Sequence, residues 1–244
     1  MPRPRRVSVR LALAIVLLAV PASIAGCVRS SGGTWYVASA DRPEGWPELT
    51  PVGEVRVQTY PAYRAAVVGG EATDGASRAA GRMFQPLFRH IKAEGIPMTA
   101  PVEMGYVGGD PAADAAPRMK SMAFLYPAAD VGAATDAGLD SGLATGVATG
   151  VATGMAAGVT TGPADDAGAV RVVDVLPRPH ASVGVRGGYT QRNFERGLAI
   201  LESWLARNSA WQADGPPRYL GYNGPFTLPF LRYGEVQLPV VQRD

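Results

Sequence analysis

Seven glycines recur at four-residue intervals, at Gly138, Gly142, Gly146, Gly150, Gly154, Gly158 and Gly162. Units such as Gly-Val-Ala-Thr lie between them. So much glycine disfavours a helix in water, and nothing in the run is bulky enough to build a core. Small residues at this spacing also suit packed membrane helices, but large apolar side chains are too few here for a span. The run, with its flanks from about 128 to 168, therefore reads as a flexible insertion without chemistry. What stands on either side of it is one pattern, used twice.

In the first stretch Glu54 to Tyr60 alternates, with Val55 and Val57 on one side and Glu54, Arg56 and Gln58 on the other. That is a half-buried strand. Pro61-Ala62 turns the chain into a second strand, Tyr63 to Val68, closed by Gly69-Gly70. Residues 74 to 92 place Ala76, Ala80, Met83, Phe84, Leu87, Phe88 and Ile91 at helical spacing. Pro86 has no N–H for the carbonyl of Arg82, so a kink or restart is expected there. Pro97 and Pro101 keep Ile96 to Met104 from being a central strand throughout. Met119 to Tyr126 is a strand with Met119, Ser121, Ala123 and Leu125 on one side and Met122, Phe124 and Tyr126 on the other.

After the insertion Val170 to Leu176 alternates again, and Val170-Arg171-Val172 echoes Val55-Arg56-Val57. Pro177 or Pro179 stands where Pro61 stood, and Val185 to Gly188 answers Val67 to Gly70. Thr190 is placed to cap a helix from Gln191 to Arg207, with Phe194, Leu198, Leu201 and Leu205 as its buried stripe and Trp204 beside it. Tyr219 to Tyr222 and Gly234 to Val241 supply the last strands. The expected fold is α+β: duplicated strand–helix–strand halves forming a distorted antiparallel β-barrel with two helices.

Residues 1–27 read as an export signal. Arg3, Arg5, Arg6 and Arg10 form a basic start, and Val7 to Ala25 is almost entirely small or apolar. The run ends Ile24-Ala25-Gly26-Cys27, which resembles a bacterial lipobox, with Cys27 as the lipidated new N-terminus. The expectation is an exported domain in the cell envelope, anchored by lipid to a bacterial membrane. Residues 28–50, rich in Ser, Gly, Pro and Asp, read as a tether, and residues 51–241 as the domain. Cys27 is the only cysteine, so a disulfide within the chain is excluded. Without a staple the domain must rely on its core, and about 215 residues suffice for one. The chain carries 23 Lys+Arg against 21 Asp+Glu, and loss of the four signal arginines leaves 19 against 21. With no basic stripe interleaved with aromatics, a nucleic-acid partner is not expected. A monomer is.

Several segments together resemble the SOUL haem-binding protein family. They are Tyr60-Pro61, Met83 to Ile91, Ile96 to Met104, the strand Met119 to Pro127, Tyr222-Asn223-Gly224-Pro225-Phe226, and Arg232 through Val236. Met-Thr-Ala-Pro-Val within Ile96 to Met104 is the most specific mark. The resemblance implies a distorted two-helix barrel and non-catalytic binding of haem or another tetrapyrrole. The surface it implies is largely apolar, at the first helix and nearby loops, and falls on Arg82, Met83, Leu87, Phe88 and Met98. Chemistry adds Arg89, which with Arg82 can meet two propionates, and His90 at the helix end. His90 and His180 are weak candidates for an iron ligand. Both read as surface residues; Met98 and Met104 are weak axial ligands by chemistry but read better as core or rim fillers.

Enzyme readings lack their parts. Ser77, Thr99 and Ser182 have no base assigned around them. Asp165-Asp166 lies in the insertion, and Glu103 and Glu235 have no defined cleft between them. Two histidines and one committed cysteine do not make a structural zinc site. The function expected is buffering, scavenging or transfer of a tetrapyrrole. The competing readings are a binder of another apolar small molecule and a structural envelope protein with a solid core.

Overall fold

The computed structural model describes residues 28–69, 76–107, 118–134, 136–139 and 169–243. The signal segment with Cys27, most of the glycine run and Asp165-Asp166 lie outside the described residues.

The chain opens with a hairpin, β1 (Val28–Ser31) and β2 (Thr34–Val37). β3 (Val55–Tyr60) and β4 (Tyr63–Gly69) lead to helix α1 (Ala76–Ala93), then β5 (Val102–Val107) and β6 (Arg118–Leu125). A short strand β7 (Asp136–Leu139) precedes β8 (Val170–Val175) and β9 (Arg178–Arg186). Helix α2 (Gln191–Arg207) follows, then β10 (Trp211–Ala213), β11 (Arg218–Gly221) and β12 (Tyr233–Gln242).

Nine strands form one path in the order β3-β9-β12-β11-β5-β6-β4-β8-β7, and β10 pairs with β12 off that path. The pairings are antiparallel except β7 with β8, which is parallel. The consecutive strands β3 and β4 do not pair with each other: β3 pairs with β9, and β4 with β6 and β8. The sheet is large, and among the described residues no pairing joins its ends β3 and β7 into a closed barrel.

Both helices pack on the sheet, α1 over β4 and β6, α2 over β9 and β12. Helix α1 buries Met83, Leu87 and Ile91, and α2 buries Phe194, Leu198 and Leu201 in the same core. Thr190 caps α2 as the sequence predicts, its hydroxyl accepting from Asn193 N. Leu205 and Trp204 are half-buried against that core. Gly197 lets α2 close onto β12, since a Cβ there would stand 2.5 Å from Val236 Cγ2. Helix α1 does not restart at Pro86 but runs through it as one element. Tertiary packing of its apolar stripe outweighs the one hydrogen bond the proline removes.

Strand β6 shows a second difference. The register slips between Gly105 and Tyr106, which pair with Ser121 and Met119 and skip Lys120. This bulge turns Met119 onto the helix side with Met122 and Phe124, while Ala123 and Leu125 face the other core. The insertion also contributes to the sheet: β7 lies within it.

Residues 28–50 do not stand off as a tether. Tyr36, Trp46, Leu49 and Thr50 are buried with Tyr60, Tyr63, Leu220, Tyr222 and Tyr233 on the helix-free side. The Trp46 ring meets Tyr60 and Tyr63 edge-on at 5.0 and 5.5 Å, and its N–H donates to Tyr222 Oη at 3.1 Å. A segment poor in hydrophobics is thus fixed by three large side chains.

Candidate functional site on the outer face of the first helix

An open depression of about 490 Å³ lies along α1, lined by Gly81, Arg82, Gln85, Pro86 and Arg89. These residues share the solvent side of the helix, one and two turns apart. Pro86 donates nothing to the helix there, and Gly81 has no side chain, so the floor is low. Arg82 and Arg89 are exposed at its two ends. Phe88 is 42% exposed and stacks on Phe84 at 6.0 Å.

The other sequence candidates lie on other sides of α1 or on other elements. Met83 and Leu87, 3% and 0% exposed, point at the sheet and form core, not groove. Met98 is half-buried against the same core, beyond the groove. His90 is half-buried, and its Nε2 lies 2.9 Å from Tyr126 Oη. Met104 is buried in β5.

His180 contradicts the surface expectation, being 1% exposed. Strand β9 starts at Arg178, directly after Pro177, and carries His180 inside. Its ring meets Tyr60 edge-on at 5.3 Å, and Nδ1 lies 3.3 Å from the Arg178 carbonyl oxygen. Burial, with Arg218 nearby, holds its pKa well below the ordinary imidazole value, so it stays neutral. It is remote from the groove lining. Among the described residues no cluster of His, Cys, Asp or Glu is arranged to hold a metal ion.

The motif Ile96 to Met104 is a structural link. Ile96 is buried beside the helix core, Thr99 Oγ1 donates to the Leu125 carbonyl at 2.5 Å, and Ala100 N donates to the Asp41 carbonyl at 2.8 Å. Ala100–Pro101 is cis. Val102 then enters β5. The motif sews α1, β6 and the N-terminal segment together.

Sequence reasoning missed a polar cluster on the helix-free side. The Glu235 carboxylate accepts from Thr50 N at 2.8 Å, Tyr222 Oη at 3.1 Å, Tyr60 Oη at 3.2 Å and Gln237 Nε2 at 2.9 Å. Tyr233 Oη, 2.8 Å from Glu235 and 2.5 Å from the Thr50 carbonyl, shares one proton between them. Burial, and then the Glu235 charge, push the Tyr60, Tyr222 and Tyr233 hydroxyls far up in pKa, so they remain donors. Beside them Glu103 pairs with Arg218. Thr50, Ser182 and Trp46 close this side, leaving a packed network in place of the cleft that two acids would need for catalysis.

The family model described as SOUL heme-binding protein matches residues 49–239. The chain belongs to the SOUL family. The family is associated with haem binding. The match spans both helices, the groove on α1 and the polar cluster. No curated protein matches the chain significantly. Among solved structures it is similar to the C-terminal domain of EcmrR, at 12% identity, covering 78% of this chain and 98% of that one with a TM-score of 0.50. For the EcmrR–DNA complex in EcmrR-RPo the figures are 11% identity, 78% of this chain and TM-score 0.49, and the SOUL chain spans 58% of that chain. An uncharacterized conserved protein from Listeria innocua gives 14% identity, 78% and 94% coverage and TM-score 0.47. At these identities the likeness concerns the fold alone.

Proposed function

We propose that this SOUL protein binds haem or a related tetrapyrrole on the outer face of α1, for buffering, scavenging or transfer. The observation that carries the reading is the Arg82–Arg89 groove on the first helix of a SOUL chain. A tetrapyrrole offers a flat apolar ring and two carboxylates. The arginines supply charge-assisted donors for the carboxylates. Pro86 and the exposed part of Phe88 supply apolar surface for the ring. Met83 and Leu87 act from beneath, holding the helix on the sheet. The groove itself contributes no axial ligand, and His90 is engaged with Tyr126, so the ring is held by its edges and face. An open, shallow site of this sort suits exchange better than permanent retention.

We place this activity outside the cytoplasm, on a domain anchored through acylated Cys27, because a basic, apolar, small-residue and cysteine sequence precedes the folded part. The two halves are read as products of one duplication. Exchanging β3, β4, β5 and β6 with β8, β9, β11 and β12 reproduces the strand order from β3 to β8, which supports that reading.

Hemin titration of the detergent-solubilised full chain, followed at the Soret band, tests the ligand. Saturable change is expected, and a spectrum identical to hemin in detergent alone refutes it. Incorporation of labelled fatty acid, abolished by Cys27→Ser, tests the anchor separately.

A further inference from the structure

The loop between β11 and β12 holds its largest apolar side chains in solvent. Phe226 is 99% exposed, Phe230 69% and Leu228 55%. Exposed phenylalanines on a loop ordinarily fold back onto the nearest core. Here Arg232 prevents it: its Nε donates to the Thr227 carbonyl at 2.8 Å and Nη2 to the Pro225 carbonyl at 2.7 Å. A short 3-10 turn at Pro229–Leu231 fixes the far arm. The loop is braced from inside, with its apolar tips turned outward.

The position of this loop supplies the second observation. Asn223 Nδ2 donates to the Val37 carbonyl, and Gly224 N donates to Ser39 Oγ at 2.8 Å. Val37 pairs across the first hairpin with Val28, and Cys27 is the next residue along the chain. The loop therefore springs from the end of the molecule where the chain leaves toward the apolar segment 7–25. Val28 and Trp35 on that hairpin are themselves exposed. The Arg186 guanidinium lies 3.7 Å over the Trp35 ring, donates to the Trp35 carbonyl and reaches the Leu231 carbonyl at 3.4 Å. Five exposed apolar side chains and two arginines thus belong to one connected region. Aromatic rings with arginines beside them are the composition of a bilayer interface.

We propose that this loop, with Trp35 and Val28, lies in the headgroup layer of a phospholipid bilayer and orients the domain on the membrane. The inference rests on the anchor reading above: one lipid attachment leaves a domain free to swivel, and a second contact beside it fixes which face turns outward. Phe226 and Phe230 enter the boundary between headgroups and acyl chains to a depth of about 5–10 Å.

The test uses the full chain reconstituted in phosphatidylcholine–phosphatidylglycerol vesicles, with and without brominated acyl chains. Phe226→Trp adds a fluorophore at a position with no packing to lose, and Leu176→Trp, at a residue 58% exposed, provides a surface control elsewhere. With the parent chain's emission subtracted, the tryptophan at 226 is expected to be blue-shifted and to lose most of its emission to brominated lipid, while that at 176 keeps its emission. A protein that floats with the vesicles but leaves position 226 unquenched overturns the loop contact and spares the anchor. A protein that does not float overturns both. Protection at 226 that appears only at high protein-to-lipid ratio assigns the patch to contacts between copies, and also overturns the proposal.

Discussion

Arg218 Nη1 donates to Glu103 Oε2 at 2.9 Å, with both side chains almost completely buried. The same nitrogen reaches Tyr63 Oη at 2.7 Å, and Nε reaches Gln237 Oε1 at 2.8 Å. Burial works against the arginine's charge, but Glu103, Tyr63 and Tyr60 together outweigh it and raise the guanidinium pKa. Arg218→Met strands a carboxylate in the interior and is expected to cost about 3–5 kcal/mol. Adding Glu103→Gln should recover part of that loss. Urea unfolding of the parent and the two variants measures it, and a loss under about 1 kcal/mol for Arg218→Met alone would refute the pairing as drawn.

Trp46 decides whether residues 28–50 belong to the fold. Its ring and N–H engage Tyr60, Tyr63 and Tyr222. Trp46→Ala should lower stability by about 3–5 kcal/mol, as for a large core aromatic. A tether would tolerate the change with an unaltered thermal midpoint.

Two glycines in the helices should respond with opposite signs. Alanine at Gly197 drives a methyl into Val236 and is expected to cost about 1–3 kcal/mol. Gly81 has nothing within 4 Å of a Cβ, and alanine there should stabilise α1 by about 0.8–1 kcal/mol. Paired thermal melts compare them.

His180 makes stability depend on pH. Below about pH 6.5 the unfolded chain takes up a proton that the folded chain, with its depressed imidazole pKa, refuses. Its contribution is therefore complete above that pH and declines as pH falls. The difference in unfolding free energy between the parent and His180→Gln should shrink between pH 7.5 and pH 5 (two values set by the ordinary range of the group). A difference that stays flat would remove the buried neutral histidine from the account.

Helix α2 was readable to the residue, because Thr190 supplied a cap and Phe194, Leu198 and Leu201 a stripe of the right period. Those signals are local. The departures came from longer range. The slip opposite Lys120 that turns Met119 over depends on Gly105 and Tyr106 in another strand. Pro86 is tolerated because α1 is held by the sheet beneath it. The Glu235 cluster draws Thr50, Tyr60, Tyr222 and Gln237 from four separate segments, and in each strand its tyrosines look like ordinary apolar positions. For the candidate site, the resemblance pointed to helix α1, but periodicity could not assign the sides of that helix. Met83 and Leu87 share the stripe that the sheet covers, whereas Arg82 and Arg89 share the groove.

The groove between those arginines is most directly tested by titrating hemin into the full chain, His90→Ala, and the double variant Arg82→Ala/Arg89→Ala. The account predicts a saturable Soret change in the first two with similar affinity. The double variant should bind at least about tenfold more weakly, the equivalent of about 1.4 kcal/mol lost with the charge-assisted contacts. Equal affinity in all three, or loss of binding with His90→Ala alone, would contradict it.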